Sequence, residues 1–220
     1  MATRAAVGAG VSRRHLLQGS ALLLGGGLLV RHGLAGALCR PTQADILGPY
    51  YRFGAPFLAT LAGAGEPGER LVIDGRVLSA DCRTPLPNAL VEVWQANSQG
   101  LYDTQTPGNF TERGQFHLRG MLYTDEQGRY RLETVMPGRY PVPPNLPELE
   151  RYAGITRPAH IHFRVMESLH VPVTLQLYFA GDPYIPKDPW AQAHPDNVIE
   201  LKSEAVGRSG VFDIVLARGL

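Results

Sequence analysis

Arg157-Pro158-Ala159-His160-Ile161-His162-Phe163 alternates in the manner of a β-strand, and it sets two imidazoles two residues apart in an apolar stretch. Strand side chains alternate faces, so His160 and His162 point the same way, about 7 Å apart along the backbone. Over that span two rings can lean onto one ion. The pattern therefore predicts both a strand and a metal, without naming the metal.

Outward from this strand, apolar, β-branched or alternating runs recur at residues 71–78, 89–95, 116–123, 130–135, 160–166, 174–179 and 211–216. Turn-forming residues separate them, at 81–88 with two prolines, in Asp125-Glu126-Gln127-Gly128 and at Pro137-Gly138. The expected fold is all-β, a sandwich of about seven or more short antiparallel strands. Only residues 146–152 and 189–193 offer short helices. Long loops are expected at 97–115, 139–156 and 180–197, and loops of that length in a compact domain are usually functional.

The chain has 220 residues, 44% hydrophobic and 19% charged, which suits one domain with a single core. Residues 1–37 stand apart. They contain Arg4, Arg13, Arg14 and Arg31 and no acidic residue, around an uncharged run from Leu16 to Val30. Ser12-Arg13-Arg14-His15-Leu16-Leu17 resembles a twin-arginine export signal, and Ala35-Gly36-Ala37 supplies small residues for cleavage near Leu38. The expectation is a signal at 1–37, an exported domain at 38–220, periplasmic or extracellular, and no stable membrane anchor, because the apolar run is shorter than the roughly 20 residues a span needs. Without the four signal arginines, 17 of the 21 basic residues remain against 20 acidic ones, a balance that implies no nucleic-acid partner. Cys39 and Cys82 are the only cysteines, and in an oxidising compartment they are expected to pair.

Two histidines need further donors. Gly154, His160, His162 and Glu167 reproduce most of the spacing of the first cupin motif, which would complete a site with one carboxylate. Glu167, however, lies five positions after His162, so alternation turns it to the opposite strand face, and the second cupin motif does not follow. Tyrosines are the other candidates. Tyr102 and Tyr140 lie where loops leave strands, and phenolate is a hard anionic donor suited to ferric iron.

Asn88-Ala89-Leu90-Val91-Glu92-Val93-Trp94-Gln95-Ala96-Asn97 followed by Gly100-Leu101-Tyr102 resembles the intradiol ring-cleavage dioxygenases. Thr124-Asp125, Gly128-Arg129-Tyr130, Pro137-Gly138-Arg139-Tyr140-Pro141, residues 157–163, Gln176-Leu177-Tyr178-Phe179-Ala180-Gly181-Asp182 and Phe212-Asp213-Ile214 continue the resemblance in order, over roughly residues 70–220. The resemblance implies non-haem Fe(3+) held by Tyr102, Tyr140, His160 and His162. It implies catalytic roles for Arg157, which would stabilise charge on the ring, for Gln176, and for Tyr140 as a proton acceptor. It implies insertion of both atoms of O2 between the hydroxyl-bearing carbons of a catechol-type substrate, giving a cis,cis-muconate-type diacid. Tyr50 and Tyr51, in Gly48-Pro49-Tyr50-Tyr51, resemble a motif of exported members and would line the pocket mouth with Arg157 at the substrate. On β-strand parity Gln176 joins Thr174 and Tyr178 on the site side, leaving Leu175, Leu177 and Phe179 to the core.

Val142 departs from the tryptophan of the family's protocatechuate-cleaving members, and the segment before Leu71 is short, so the identity of the aromatic diol stays open, as does homo-oligomer formation. A rival reading also stands. Gly75-Arg76-Val77, Pro87-Asn88-Ala89 and Pro137-Gly138 resemble metal-free exported β-sandwich modules of the carboxypeptidase-regulatory and collagen-adhesin types, which account for the sandwich but not for the histidines.

Overall fold

The computed structural model describes residues 39–104, 109 and 114–219. The expected signal at 1–37 and its cleavage point lie outside those residues. In chain order the strands are β1 (Arg70–Ser79), β2 (Leu90–Gln95), β3 (Arg119–Tyr123), β4 (Arg129–Val135), β5 (Tyr140–Pro141), β6 (Thr156–Arg157), β7 (His160–Met166), β8 (Val173–Phe179), β9 (Val198–Ile199), β10 (Lys202–Ser203), β11 (Arg208–Val211) and β12 (Ile214–Leu216).

Two five-stranded sheets form the body. One has the order β3-β2-β7-β8-β9; in the other, β10-β11-β1-β12, strand β4 also pairs with β1. The all-β reading is correct, but the sheets are mixed. β1 runs parallel to β11 through Leu71–Asp74 and parallel to β12 through Val77–Ser79, while β4 is antiparallel to it. The run expected at 211–216 divides because Phe212 and Asp213 step between those two pairings.

The inner faces meet in one core. Val91 and Val93, Ile161, Phe163 and Val165, and Leu175, Leu177 and Phe179 come from the first sheet, against Leu71, Ile73, Leu132 and Ile214 from the second. Each such side chain contributes about 1.5–3 kcal/mol by leaving water. Gln95 ties the sheets together. Its amide donates to the Val135 carbonyl at 2.9 Å and accepts from the Thr134 hydroxyl at 2.9 Å.

Strand β7 shows why the fold matters for function. Ile161, Phe163 and Val165 fill the core, whereas His160 and His162 face outward and are nevertheless only 1% exposed. Loops and the segment before β1 cover them. The second expected long loop carries β5, a 3-10 turn at Pro147–Tyr152 and β6; the third carries α1 (Pro189–Ala193) between 3-10 turns at Ile185–Lys187 and Pro195–Asn197. Asp188 caps α1, accepting from the Ala191 N–H at 2.7 Å, and Pro189 opens the helix.

Cys39 and Cys82 form a disulfide with their Cα atoms 5.7 Å apart, tying the segment before β1 to the turn after it. Among the described residues no helix is long and apolar enough to cross a membrane.

Candidate metal and substrate site

Register builds the floor of the site. On β7, His162 lies between Trp94 of β2 and Gln176 of β8, and His160 lies opposite Tyr178. The His162 ring stacks flat on Trp94, with centroids 4.8 Å apart at 5°, and meets the His160 ring edge-on at 4.8 Å. Among the described residues neither His162 nitrogen has a hydrogen-bond partner, although both are buried. A polar atom left so costs on the order of 1–3 kcal/mol, which a bound cation would remove.

Two loops bring the phenols. The loop after β2 is organised by Asn97, whose side-chain oxygen accepts from the Gln99 and Leu101 N–H groups and whose carbonyl accepts from Gly100 and Gly138. Gly100 and Gly138 touch backbone to backbone: a Cβ on Gly138 would stand 2.3 Å from the Gly100 nitrogen. Only glycines allow that approach, and it sets Tyr102 beside Tyr140. Their hydroxyls are 3.4 Å apart. Strand pairing fixes Tyr140 further, since β5 sets it directly opposite Arg157 of β6.

Hydrogen bonding selects the tautomer of His160. Its Nδ1–H donates to the Pro158 carbonyl at 2.7 Å, which leaves the Nε2 lone pair facing the Tyr140 hydroxyl at 2.9 Å. Burial holds the pKa of both histidines well below the usual imidazole range, with the Arg157 charge adding to the effect on each. They are neutral, as ligands must be. Burial, with the neighbouring Tyr140, pushes Tyr102 well above the ordinary phenol value; burial also raises Tyr140, against the pull of Arg157. Both phenols therefore keep their protons unless a cation displaces them. Two neutral imidazoles and two displaceable phenol protons fit a hard, highly charged cation.

Arg157 is held from four directions. Its Nε donates to Asp188, one terminal nitrogen donates to Gln176 Oε1 at 2.7 Å and to the Tyr178 hydroxyl at 3.1 Å, and its guanidinium lies 4.2 Å from the Trp190 ring centre. Burial opposes its charge, but Tyr140, Tyr178 and Asp188 outweigh burial and raise its pKa. Gln176 Nε2 is buried without a partner among the described residues, so its amide has a donor to offer.

Tyr50 lies flat on Tyr102 at 4.2 Å and edge-on to Tyr140, and burial pushes its hydroxyl up to about 12. It roofs the rings. Tyr51 goes elsewhere: it meets Trp94 edge-on, and its hydroxyl takes part in hydrogen bonds with Glu92 and Arg164. That arrangement braces Trp94, so the expectation that Tyr51 lines the pocket mouth is corrected. Glu167 is also accounted for. It lies past the far end of β7 and accepts from Ser168, from the Leu169 N–H and from His170, whose other nitrogen meets Ser79 Oγ at 2.9 Å. The carboxylate of the cupin reading is thus committed away from the two histidines. Among the described residues no group of three or more His, Cys, Asp or Glu side chains is gathered for a metal.

Trp94, Asp182, Asp188 and Trp190 contribute to the site without having been singled out in the sequence. Asp182 anchors the Tyr140 loop to β7, accepting from Arg139 at 2.9 Å and from the Ala159 N–H at 3.0 Å. Its position at the end of Gln176-Leu177-Tyr178-Phe179-Ala180-Gly181-Asp182 was the available signal. Asp188-Pro189, an N-cap before a helix-opening proline, was another.

A protein-family model described as dioxygenase matches residues 46–218. Catechol 1,2-dioxygenase of Acinetobacter baylyi is 39% identical over 153 residues, 65% of this chain and 48% of that protein. The protocatechuate 3,4-dioxygenase beta chain of Burkholderia cepacia is 38% identical over 170 residues, 69% of this chain and 66% of that one. The solved structure of 3-chlorocatechol 1,2-dioxygenase from Rhodococcus opacus 1CP matches with a TM-score of 0.70 at 28% identity, covering 82% of this chain and 74% of that one. The chain belongs to the intradiol ring-cleavage dioxygenase family. It spans about half the length of the first of these curated relatives.

Proposed function

We propose that this protein is a non-haem ferric dioxygenase that cleaves a catechol-type ring between its two hydroxyl-bearing carbons, yielding a cis,cis-muconate-type diacid from the diol and O2. The observation that carries the reading is the pair of buried, unpartnered nitrogens of His162 beside His160, Tyr102 and Tyr140. Those four side chains would hold the iron. When bound, ferric iron supplies Lewis-acid activation of the diol and lowers the pKa of its hydroxyls.

The chain's own groups do the rest. With its own proton displaced by a bound cation, the Tyr140 oxygen would accept one from the diol. Arg157, held rigid and charged, stabilises negative charge as it develops on the ring, an electrostatic effect strengthened by exclusion of water. Gln176 offers its free amide N–H to an oxygen of the reacting species. Tyr50, stacked on Tyr102, closes the ring pocket against solvent.

The cupin alternative loses support from the bonding of Glu167 to His170, and a metal-free binding module gives no account of the buried imidazoles or the clamped arginine. Export through a signal at 1–37 belongs to the same proposal, and the Cys39–Cys82 bridge suits an oxidising compartment.

Iron loading tests the site. The loaded chain should turn red-brown through tyrosinate-to-iron absorption and consume one O2 per diol cleaved. A colourless protein with full iron content would sink the two-tyrosine assignment, and a coloured protein without oxygen uptake on any diol would sink the activity.

A further inference from the structure

A cavity of about 330 Å³ lies between the segment at Ile46–Pro49, the 3-10 turn at Pro147–Tyr152 and Trp190. Its link to them is Gly48, which lines the cavity and sits so close to His162 that an added Cβ would stand 3.0 Å from His162 Cε1. Its link to the arginine is Trp190, which also lines the cavity and carries Arg157 against its ring. One space is therefore walled by the two residues that pack directly on His162 and on Arg157.

The cavity's chemistry is lopsided. Ile46, Leu47, Pro49, Leu149, Tyr152 and Trp190 make its walls apolar. The charged lining residues, Glu148 and Arg151, are exposed and opposite in sign, and the Arg151 guanidinium lies 4.7 Å from the Tyr152 ring centre. A carboxylate entering here meets no net positive charge, whereas an apolar group gains by leaving water. Size points the same way: about 150 Å³ is enough for a benzene ring, which leaves roughly half of this cavity for something more.

We propose that the substrate is a catechol carrying a bulky, uncharged apolar substituent, an aryl or branched alkyl group, seated against Leu149, Tyr152 and Trp190 with its diol toward His162. This rests on the dioxygenase reading above. Leu149 and Tyr152 project from the 3-10 turn at Pro147–Tyr152, so that turn sets the size limit.

Oxygen uptake by the iron-loaded full chain compares 3-phenylcatechol and 4-tert-butylcatechol with catechol and 3,4-dihydroxybenzoate. At least one apolar diol should exceed both of the others in kcat/KM by about tenfold or more. Equal or better turnover of catechol or the benzoate overturns the proposal while leaving the dioxygenase reading intact. Leu149→Trp, which fills the cavity, should erase that preference; because the readout is a ratio of substrates, a general loss of folded enzyme does not mimic it, and an unchanged ratio counts against the proposal. Calorimetry of the chain without iron supplies an arm independent of turnover. There 2-hydroxybiphenyl should bind about tenfold or more tighter than 2-hydroxybenzoate. The reverse order overturns the cavity assignment, and failure of the coloured protein to cleave any diol overturns the dioxygenase reading instead.

Discussion

His162 and Arg157 are both buried in the same site, yet their surroundings are opposite in kind. His162 has aromatic rings on its flanks and, among the described residues, no partner for either nitrogen, while Arg157 has a carboxylate, an amide oxygen, a phenol and an indole face around one guanidinium. The first environment is incomplete without an added cation. The second is complete already and changes little on loading. Polar atoms left bare in one half and saturated in the other distinguish a region built to receive an ion from one built to stay still.

The sharpest way to break this contrast is to remove a donor. Tyr102→Phe or His162→Ala should lose the iron or its colour, with activity falling by more than the roughly 10–100-fold typical of outer-shell partners. An unchanged visible spectrum would exclude that residue as a ligand. Because both phenols are protonated and both imidazoles neutral beforehand, loading should release about two protons per ion and weaken as the pH falls. Indicator-dye measurement of no proton release would contradict the phenolic donors.

Asp188→Asn strikes the other half. Removing the charge that faces buried Arg157 should cost about 3–5 kcal/mol of stability, seen as a lower Tm, and slow turnover while iron and colour remain. Loss of colour would mean that the two halves are not separable. The disulfide lies outside both. Cys39→Ser with Cys82→Ser should cost on the order of 2–4 kcal/mol and leave the absorption of the folded fraction unchanged.

The smallest effect concerns Glu167. Hydrogen bonds from His170 and then from the Leu169 N–H lower its pKa to about 2, from 4.5. A depressed carboxylate stabilises the fold above its unfolded pKa, and that contribution is lost as the pH falls from about 4.5 through about 2. Solvent screening keeps it under about 1 kcal/mol. Glu167→Gln should flatten the stability slope in that window and leave iron binding untouched; loss of iron would revive the carboxylate as a ligand.

Much of this was legible beforehand because it depends on short-range pattern. Period-two alternation located β1, β2, β4, β7 and β8, and parity on β8 separated Gln176 from Leu175 and Leu177. Parity also removed Glu167. Parallel pairing of β1 with β11 and β12 was not legible, since those strands approach from more than a hundred residues away and only packing against the shared core aligns them. Tyr51 shows a different gap: it adjoins Tyr50 in sequence, but the turn at Pro49–Tyr50 sends Tyr50 onto Tyr102 and Tyr140 and Tyr51 onto Trp94.

By itself, the sequence determined the donor types, their spacing on β7 and the motifs that name the family, because side-chain chemistry and strand periodicity are local properties. The tertiary structure alone decided that Gly100 meets Gly138 so that two phenols converge, that Asp188, capping α1, and Trp190 within it fasten Arg157, and that Gly48, at the edge of an apolar cavity, packs on His162. Those are contacts between segments tens of residues or more apart in the chain. No periodicity encodes them, and they exist only once the two sheets have closed on a common core.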